Sequence, residues 1–207
     1  MTGVAALIGV SPWRLISSAS AQSQTAADVA KPSPLGDMAL GPENASVTIV
    51  EYASMTCPHC AAFTIQVFPK LKSEYIDTGK VRFIFREFPL DLKAAAGSML
   101  ARCVAKSDAG KYFAVVDTLF KQQADWAMND TVNSLKRIGK QAGLSEESFN
   151  ACLKDQSTLD GIKATQEYAA DKLKVNSTPS FFINGTLVKG ETSFEGFENL
   201  IKPLLKA

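Results

Sequence analysis

The chain has 207 residues and a formal charge of +1, from 22 Lys and Arg against 21 Asp and Glu. At 46% hydrophobic and 21% charged it can bury one substantial core, and the near-neutral balance excludes a surface built for nucleic acid or another polyelectrolyte. Four cysteines are too few for a small disulfide-dense scaffold.

Residues 1–21 differ from the rest. Val4–Val10 (VAALIGV) is a short apolar run, and Ala19-Ser20-Ala21 has the small-residue pattern that export peptidases cut. Crossing a bilayer takes about 20 apolar residues in a helix, so this run is too short to do so. The segment is expected to be an export signal cleaved after Ala21, and its removal takes away Arg14 and lowers the charge from +1 to 0. No Lys or Arg precedes the run, a departure that a start codon placed too far downstream would explain. No other stretch is long and apolar enough to span a membrane, so the mature protein is expected to be soluble.

Residues 22–43 are mostly small and polar and are broken by Pro32, Pro34 and Pro42, so they read as a flexible arm. Val47–Tyr52 (VTIVEY) has the β-branched and aromatic composition of a buried strand. Ala61–Tyr75 then carries Phe63, Val67, Leu71 and Tyr75 at helical spacing, with Pro69 expected to kink the helix and Thr78-Gly79 to end it. Val81–Phe88 (VRFIFREF) returns to strand composition. A strand, a helix and a strand in succession favour a right-handed parallel crossover, and residues 44–92 form this βαβ half.

Residues 93–174 are mostly helical, in four or five segments with breaks expected at Asp108-Ala109-Gly110, Asn129-Asp130-Thr131, Ala142-Gly143 and near Asp160-Gly161. Ser145-Glu146-Glu147-Ser148 reads as a helix start with acidic residues in the first turn. In residues 175–207, Pro179–Ile183 (PSFFI) and Thr186–Lys189 (TLVK) flank Asn184-Gly185, a favoured two-residue hairpin turn, before a closing helix over Phe194–Leu204. The layout is βαβ, a helical insertion, then ββα. That is an α/β sheet with a helical cap.

Between the first strand and its helix lies Cys57-Pro58-His59-Cys60. This position puts both sulfurs near a helix N-terminus, where unpaired N–H groups and the macrodipole act as about half a positive charge. Pro58 is tolerated there because its N–H has no helical partner to lose. Cys57 is expected to be the outer, exposed sulfur and Cys60 the one facing the protein. The helix end favours the Cys57 thiolate, and the His59 ring is expected to add partial positive charge or a donor. A stabilised thiolate stabilises the reduced form, so the disulfide readily accepts electrons from other dithiols. A zinc site wants four ligands at suitable spacing, whereas this chain has one C-x-x-C with its single histidine inside it. Neither a metal nor a cofactor beyond the Cys57–Cys60 pair is expected.

With this motif, Thr178-Pro179 before the final hairpin and the insertion between two half-sheets, the chain resembles the DsbA-type thiol:disulfide oxidoreductases of the thioredoxin superfamily over roughly residues 44–205. The central Pro-His dipeptide is that of DsbA-type oxidases rather than the Gly-Pro of thioredoxins. The resemblance implies a thioredoxin fold with a central mixed sheet flanked by helices. It implies Cys57 as the nucleophile that forms a mixed disulfide with a client, and Cys60 as the resolving thiol. It implies Pro179 as a cis-proline beside the disulfide, with Thr178 presenting backbone to an extended client chain. Glu51 matches a buried acid below the motif that moves protons to or from Cys60. Cys103 and Cys152, 49 positions apart in the insertion, are expected to form a structural disulfide in an exported protein.

The function expected from these residues is a periplasmic dithiol oxidase, monomeric, acting on reduced exported proteins and reoxidised by a quinone-linked, DsbB-like membrane protein. A related disulfide isomerase or reductase is the first alternative. Isomerases of the superfamily oligomerise through an N-terminal extension, and the proline-broken 22–43 segment is too short for a stable oligomerising helix. A Cu(I)-handling protein is the second alternative, but it calls for more Met or His ligands than Met55 and His59 supply.

Overall fold

The computed structural model describes residues 25–189 and 193–205, so the expected export signal over 1–21 lies outside the described residues. Strands β1 (Met38–Leu40), β2 (Val47–Ala53), β3 (Val81–Glu87), β4 (Ser180–Ile183) and β5 (Thr186–Lys189) form one mixed sheet in the order β1-β3-β2-β4-β5. Only β2 and β3 are parallel, with Val47 opposite Val81 and Ala53 opposite Glu87. The central strand β2 is buried on both faces apart from the half-buried Thr48, which is why its apolar residues do not alternate with polar ones.

Helix α1 (Pro58–Gln66) crosses from β2 toward β3 and stops at Val67. Pro69 has no N–H to give the Ile65 carbonyl, so a new short helix, α2 (Phe68–Leu71), begins with Pro69 in its first turn. A π-helical turn over Lys72–Ile76 follows, and Gly79 at φ +76° ends the segment.

The insertion holds six helices among the described residues rather than four or five: α3 (Leu92–Ala105), α4 (Ala109–Lys121), α5 (Gln123–Met128), α6 (Thr131–Gln141), α7 (Glu146–Lys154) and α8 (Gln156–Asp171). Side chains of Asp91, Asp108, Asp130, Ser145 and Asp155 cap five of them. The break expected near Asp160-Gly161 falls instead at the Asp155 cap. Gly161 is buried mid-helix, where a Cβ would come 2.4 Å from a Leu35 methyl, so the residue serves close packing and not chain termination.

The insertion is not a separate body. Tyr112, Phe120 and Trp126 share one apolar cluster with Phe63, Phe83 and Phe181 from the sheet and α1. The opposite sheet face, with Val50, Tyr52, Ile84 and Phe182, packs against Ala169 and Leu173 of the α8 region and against Val29. Val29 belongs to the segment expected to be a flexible arm. That reading is corrected: residues 25–30 are helical, and β1 pairs antiparallel with β3.

Two buried arginines explain why this segment folds. Arg86 donates to the carbonyls of Val29 and Lys31 and pairs with Asp37, while Arg102 donates to the carbonyls of Leu35 and Gly36. Its prolines therefore shape a strap across the sheet. At the other end, Asn184 (φ +46°) and Gly185 (φ +82°) make the expected tight turn between β4 and β5, and α9 (Phe194–Ile201) closes the chain with a 3-10 turn over Lys202–Leu204.

Candidate redox site

Strand β2 ends at Ala53, and the chain turns through Ser54-Met55-Thr56 into Cys57. Cys57 has extended backbone angles (φ −77°, ψ 121°) and Pro58 follows in the first helical turn, so Cys57 is the N-cap of α1. Its carbonyl accepts the Ala61 N–H at 3.1 Å. Its thiol accepts no capping hydrogen bond, but the first-turn N–H groups of His59 and Cys60 favour its thiolate.

Both thiols are free. Cys60 is fully buried, and Cys57 is 5% exposed rather than open to solvent as expected. The reason is the segment before β4: the Thr178-Pro179 bond is cis, and Cys57 Sγ donates to the Thr178 carbonyl at 3.3 Å. Thr178 and Pro179 come from a part of the chain 121 residues away from Cys57, and the sheet order β2-β4 brings the two together.

The two sulfurs sit in opposite electrostatic surroundings. Cys57 is pulled down to about 5, first by a hydrogen bond from the Cys60 thiol, then by the Thr178 side chain and the backbone N–H groups of Cys60 and His59, against the opposing effect of burial. Cys60 is pushed far up, first by burial, then by the hydrogen bond it gives Cys57 and by the Glu51 charge. The contribution of His59 comes through its backbone amide, whereas the motif pointed to its exposed ring.

Glu51 lies on β2 between Phe85 of β3 and Phe181 of β4 and is 1% exposed. Its Oε1 has no hydrogen-bond partner among the described residues. Burial, and then the Cys57 charge, hold its carboxyl well above the usual carboxylate range. The carboxyl is coupled to both sulfurs electrostatically, for its charge raises Cys60 and the Cys57 charge raises it in turn.

Three further residues of this site are not identified by the sequence reading. Asp91, the cap of α3, also accepts from Thr56 Oγ1 at 2.8 Å. Ser54 Oγ accepts the Leu90 N–H at 3.2 Å. Gln123, at the start of α5, donates from one nitrogen to the carbonyls of Met55 at 2.9 Å and Cys57 at 3.0 Å. The helix-capping role of Asp91 is legible from its place before an apolar run, but the contacts to the cysteine loop span 35 to 68 positions and depend on the tertiary fold.

Cys103 on α3 and Cys152 on α7 are joined by a disulfide with their Cα atoms 5.6 Å apart. Cys152 is 3% exposed. Among the described residues, no group of three or more His, Cys, Asp or Glu side chains is placed to hold a metal ion.

With this geometry in place, the chain is similar to the crystal structure of Wolbachia pipientis alpha-DsbA1, at 34% identity and a TM-score of 0.79, covering 86% of this chain and 94% of that one. A family model described as thioredoxin matches residues 33–203, which include both half-sheets and the insertion. The chain belongs to the DsbA-type branch of the thioredoxin superfamily. A Rickettsia bellii protein named as a protein-disulfide oxidoreductase is 37% identical over 150 residues, covering 72% of this chain and 57% of the relative. Disulfide bond formation protein D of Bacillus subtilis is 27% identical over 188 residues, covering 85% of this chain and 80% of that one. The chain thus spans little more than half the length of the Rickettsia relative.

Proposed function

We propose that this DsbA-type protein is a thiol:disulfide oxidoreductase that works as a dithiol oxidase, introducing disulfides into exported proteins in the periplasm. The observation that carries this reading is the asymmetry of the cysteine pair. Cys57 prefers to be a thiolate and Cys60 a buried thiol. An unpaired thiolate that is this well stabilised makes the reduced state favourable, and the Cys57–Cys60 disulfide correspondingly oxidising.

The reaction then runs in two exchanges. A client thiolate attacks Cys57 Sγ of the disulfide, forming a client–Cys57 mixed disulfide and breaking the bond to Cys60, which leaves as a thiolate and takes the proton held by Glu51. The client's second thiolate attacks its own sulfur in the mixed disulfide and expels the Cys57 thiolate. Two electrons pass from the client to the pair. Cys57 is a good leaving group because its pKa is low, and Thr178 offers backbone beside it to an extended client.

Reoxidation by a quinone-linked, DsbB-like membrane protein is part of the proposal. So is action as a monomer, since residues 25–43 are folded onto their own sheet by Arg86 and Arg102 and are not free to pair with a second copy. Among the described residues no helix is long and apolar enough to cross a membrane. The test compares stoichiometric oxidation of a reduced protein with insulin reduction, alongside the reduction potential of the pair. A potential near that of thioredoxin, about −270 mV, with faster insulin reduction, moves the assignment to a reductase.

A further inference from the structure

The geometry points to Gln123 as a positioning residue for thiol exchange: its amide holds the Cys57 carbonyl so that Cys57 keeps its N-cap conformation and its sulfur stays over the first-turn N–H groups of α1. The inference rests on the oxidase reading above and adds to it a residue from the insertion.

Gln123 Nε2 lies within 3.0 Å of the carbonyls of both Met55 and Cys57, so one amide bridges the backbone on either side of Thr56. The Cys57 carbonyl therefore receives two donors, Gln123 and the first helical N–H, from Ala61. Two donors define the plane of the peptide that joins Cys57 to Pro58, and with it the ψ of Cys57. That angle decides whether the sulfur reaches the amides of His59 and Cys60, because an N-cap side chain works only when its own backbone is extended.

The helix that carries the amide is anchored in the core. Trp126 on the same short helix is fully buried, donates from its indole nitrogen to the Leu119 carbonyl at 2.7 Å, and packs against Gly97 of α3, where a Cβ would come within 3.3 Å of its ring. Met55, fully buried, lies against the same glycine. Gln123 thus carries the position of the insertion into the redox loop. Around Cys57, the titratable groups are Cys60 and Glu51 on the protein side and the exposed His59 on its own helix, with Asp91 reaching the loop only through Thr56.

The test is the thiolate absorbance of the reduced full chain as a function of pH, in Gln123→Met and Gln123→Glu. Methionine keeps the length and volume but has no N–H, and glutamate turns a donor into an acceptor facing two carbonyls. The Cys57 pKa is expected to rise by about half a unit or more in Gln123→Met, the scale of a lost capping interaction, and further in Gln123→Glu. The reduction potential of the pair should fall in step, with the cooperative thermal unfolding retained. A Gln123→Met titration that overlays that of the unmodified chain overturns the inference. An unmodified chain whose Cys57 titrates as an ordinary cysteine overturns the oxidase reading instead, so the two failures are separable.

Discussion

Cys57 and Thr178 meet at the ends of two neighbouring strands through a single hydrogen bond. The Cys57 thiol donates to the Thr178 carbonyl at 3.3 Å, while the Thr178 hydroxyl is buried with no partner of its own among the described residues. Ionisation of Cys57 removes the proton that makes this bond and creates an acceptor for the hydroxyl. The threonine hydroxyl is thus a donor held ready for the thiolate.

Thr178→Val keeps the shape and removes that donor. Its reduced form should titrate with a Cys57 pKa about one unit above the value near 5, the worth of one hydrogen bond to a charged group. Absorbance at the thiolate band measures it, and an unchanged midpoint rules out the hydroxyl as a donor.

Glu51 makes stability depend on pH with a definite sign. Its folded pKa is raised, so the native state keeps a proton that the unfolded chain releases. Stability is therefore lost as pH rises from the unfolded carboxyl pKa, about 4.3, toward the raised native value. Glu51→Gln abolishes this loss. Its stability relative to the parent should be flat below about pH 4 and climb steadily above it, as read by urea unfolding across pH. A pH-independent difference would mean that Glu51 is not held protonated.

Cys57 acts in the reverse sense. Its folded pKa is depressed to about 5, so the thiolate stabilises the reduced protein above the unfolded thiol pKa, about 8.5, and this contribution is lost as pH falls toward 5. The difference in melting temperature between the reduced protein and the Cys57→Ser variant should widen from pH 5 to 8 and then level. Calorimetry at four or five pH values tests the slope, and no slope contradicts the low pKa.

Arg102 and Glu87 form a buried pair, with Arg102 Nη2 at 2.9 Å from Glu87 Oε2 and Tyr112 Oη donating to Glu87 Oε1 at 2.6 Å. Arg102→Met strands a buried carboxylate and releases the Leu35 and Gly36 carbonyls. It should cost about 3–5 kcal/mol in urea unfolding, and the double variant Arg102→Met/Glu87→Leu should recover part of that. No recovery would place the cost in the strap contacts alone.

The Cys103–Cys152 bond closes a loop of 49 positions within the insertion. Replacing both residues by alanine should lower stability by about 2–4 kcal/mol, mainly by freeing the unfolded chain. The rate of dithiol oxidation at Cys57 should change less than twofold. A large rate change would tie the second disulfide to the exchange chemistry.

Much of this architecture is legible along the chain because it rests on local rules. VTIVEY and VRFIFREF are strands because β-branched and aromatic side chains fill a doubly covered sheet, and Asn184-Gly185 turns because both residues accept positive φ. Ser145 caps a helix where Ser-Glu-Glu-Ser indicated one. Pro32 and Pro34 misled for a related reason. Proline excludes a regular helix from sequence alone, yet whether the chain is then loose or strapped depends on which side chains it meets, and Arg86 and Arg102 are remote in sequence.

The amino-acid order by itself determined that two cysteines flank the first turn of a helix after a buried strand, because spacing and propensity act within a few residues. The family resemblance named Thr178 and Glu51, but only the tertiary structure decided what they and Gln123 do to those sulfurs. Thr178 comes from the turn before β4, Glu51 from the central strand and Gln123 from the insertion, and hydrogen bonding and burial, which set a thiol's charge, depend on distance in space.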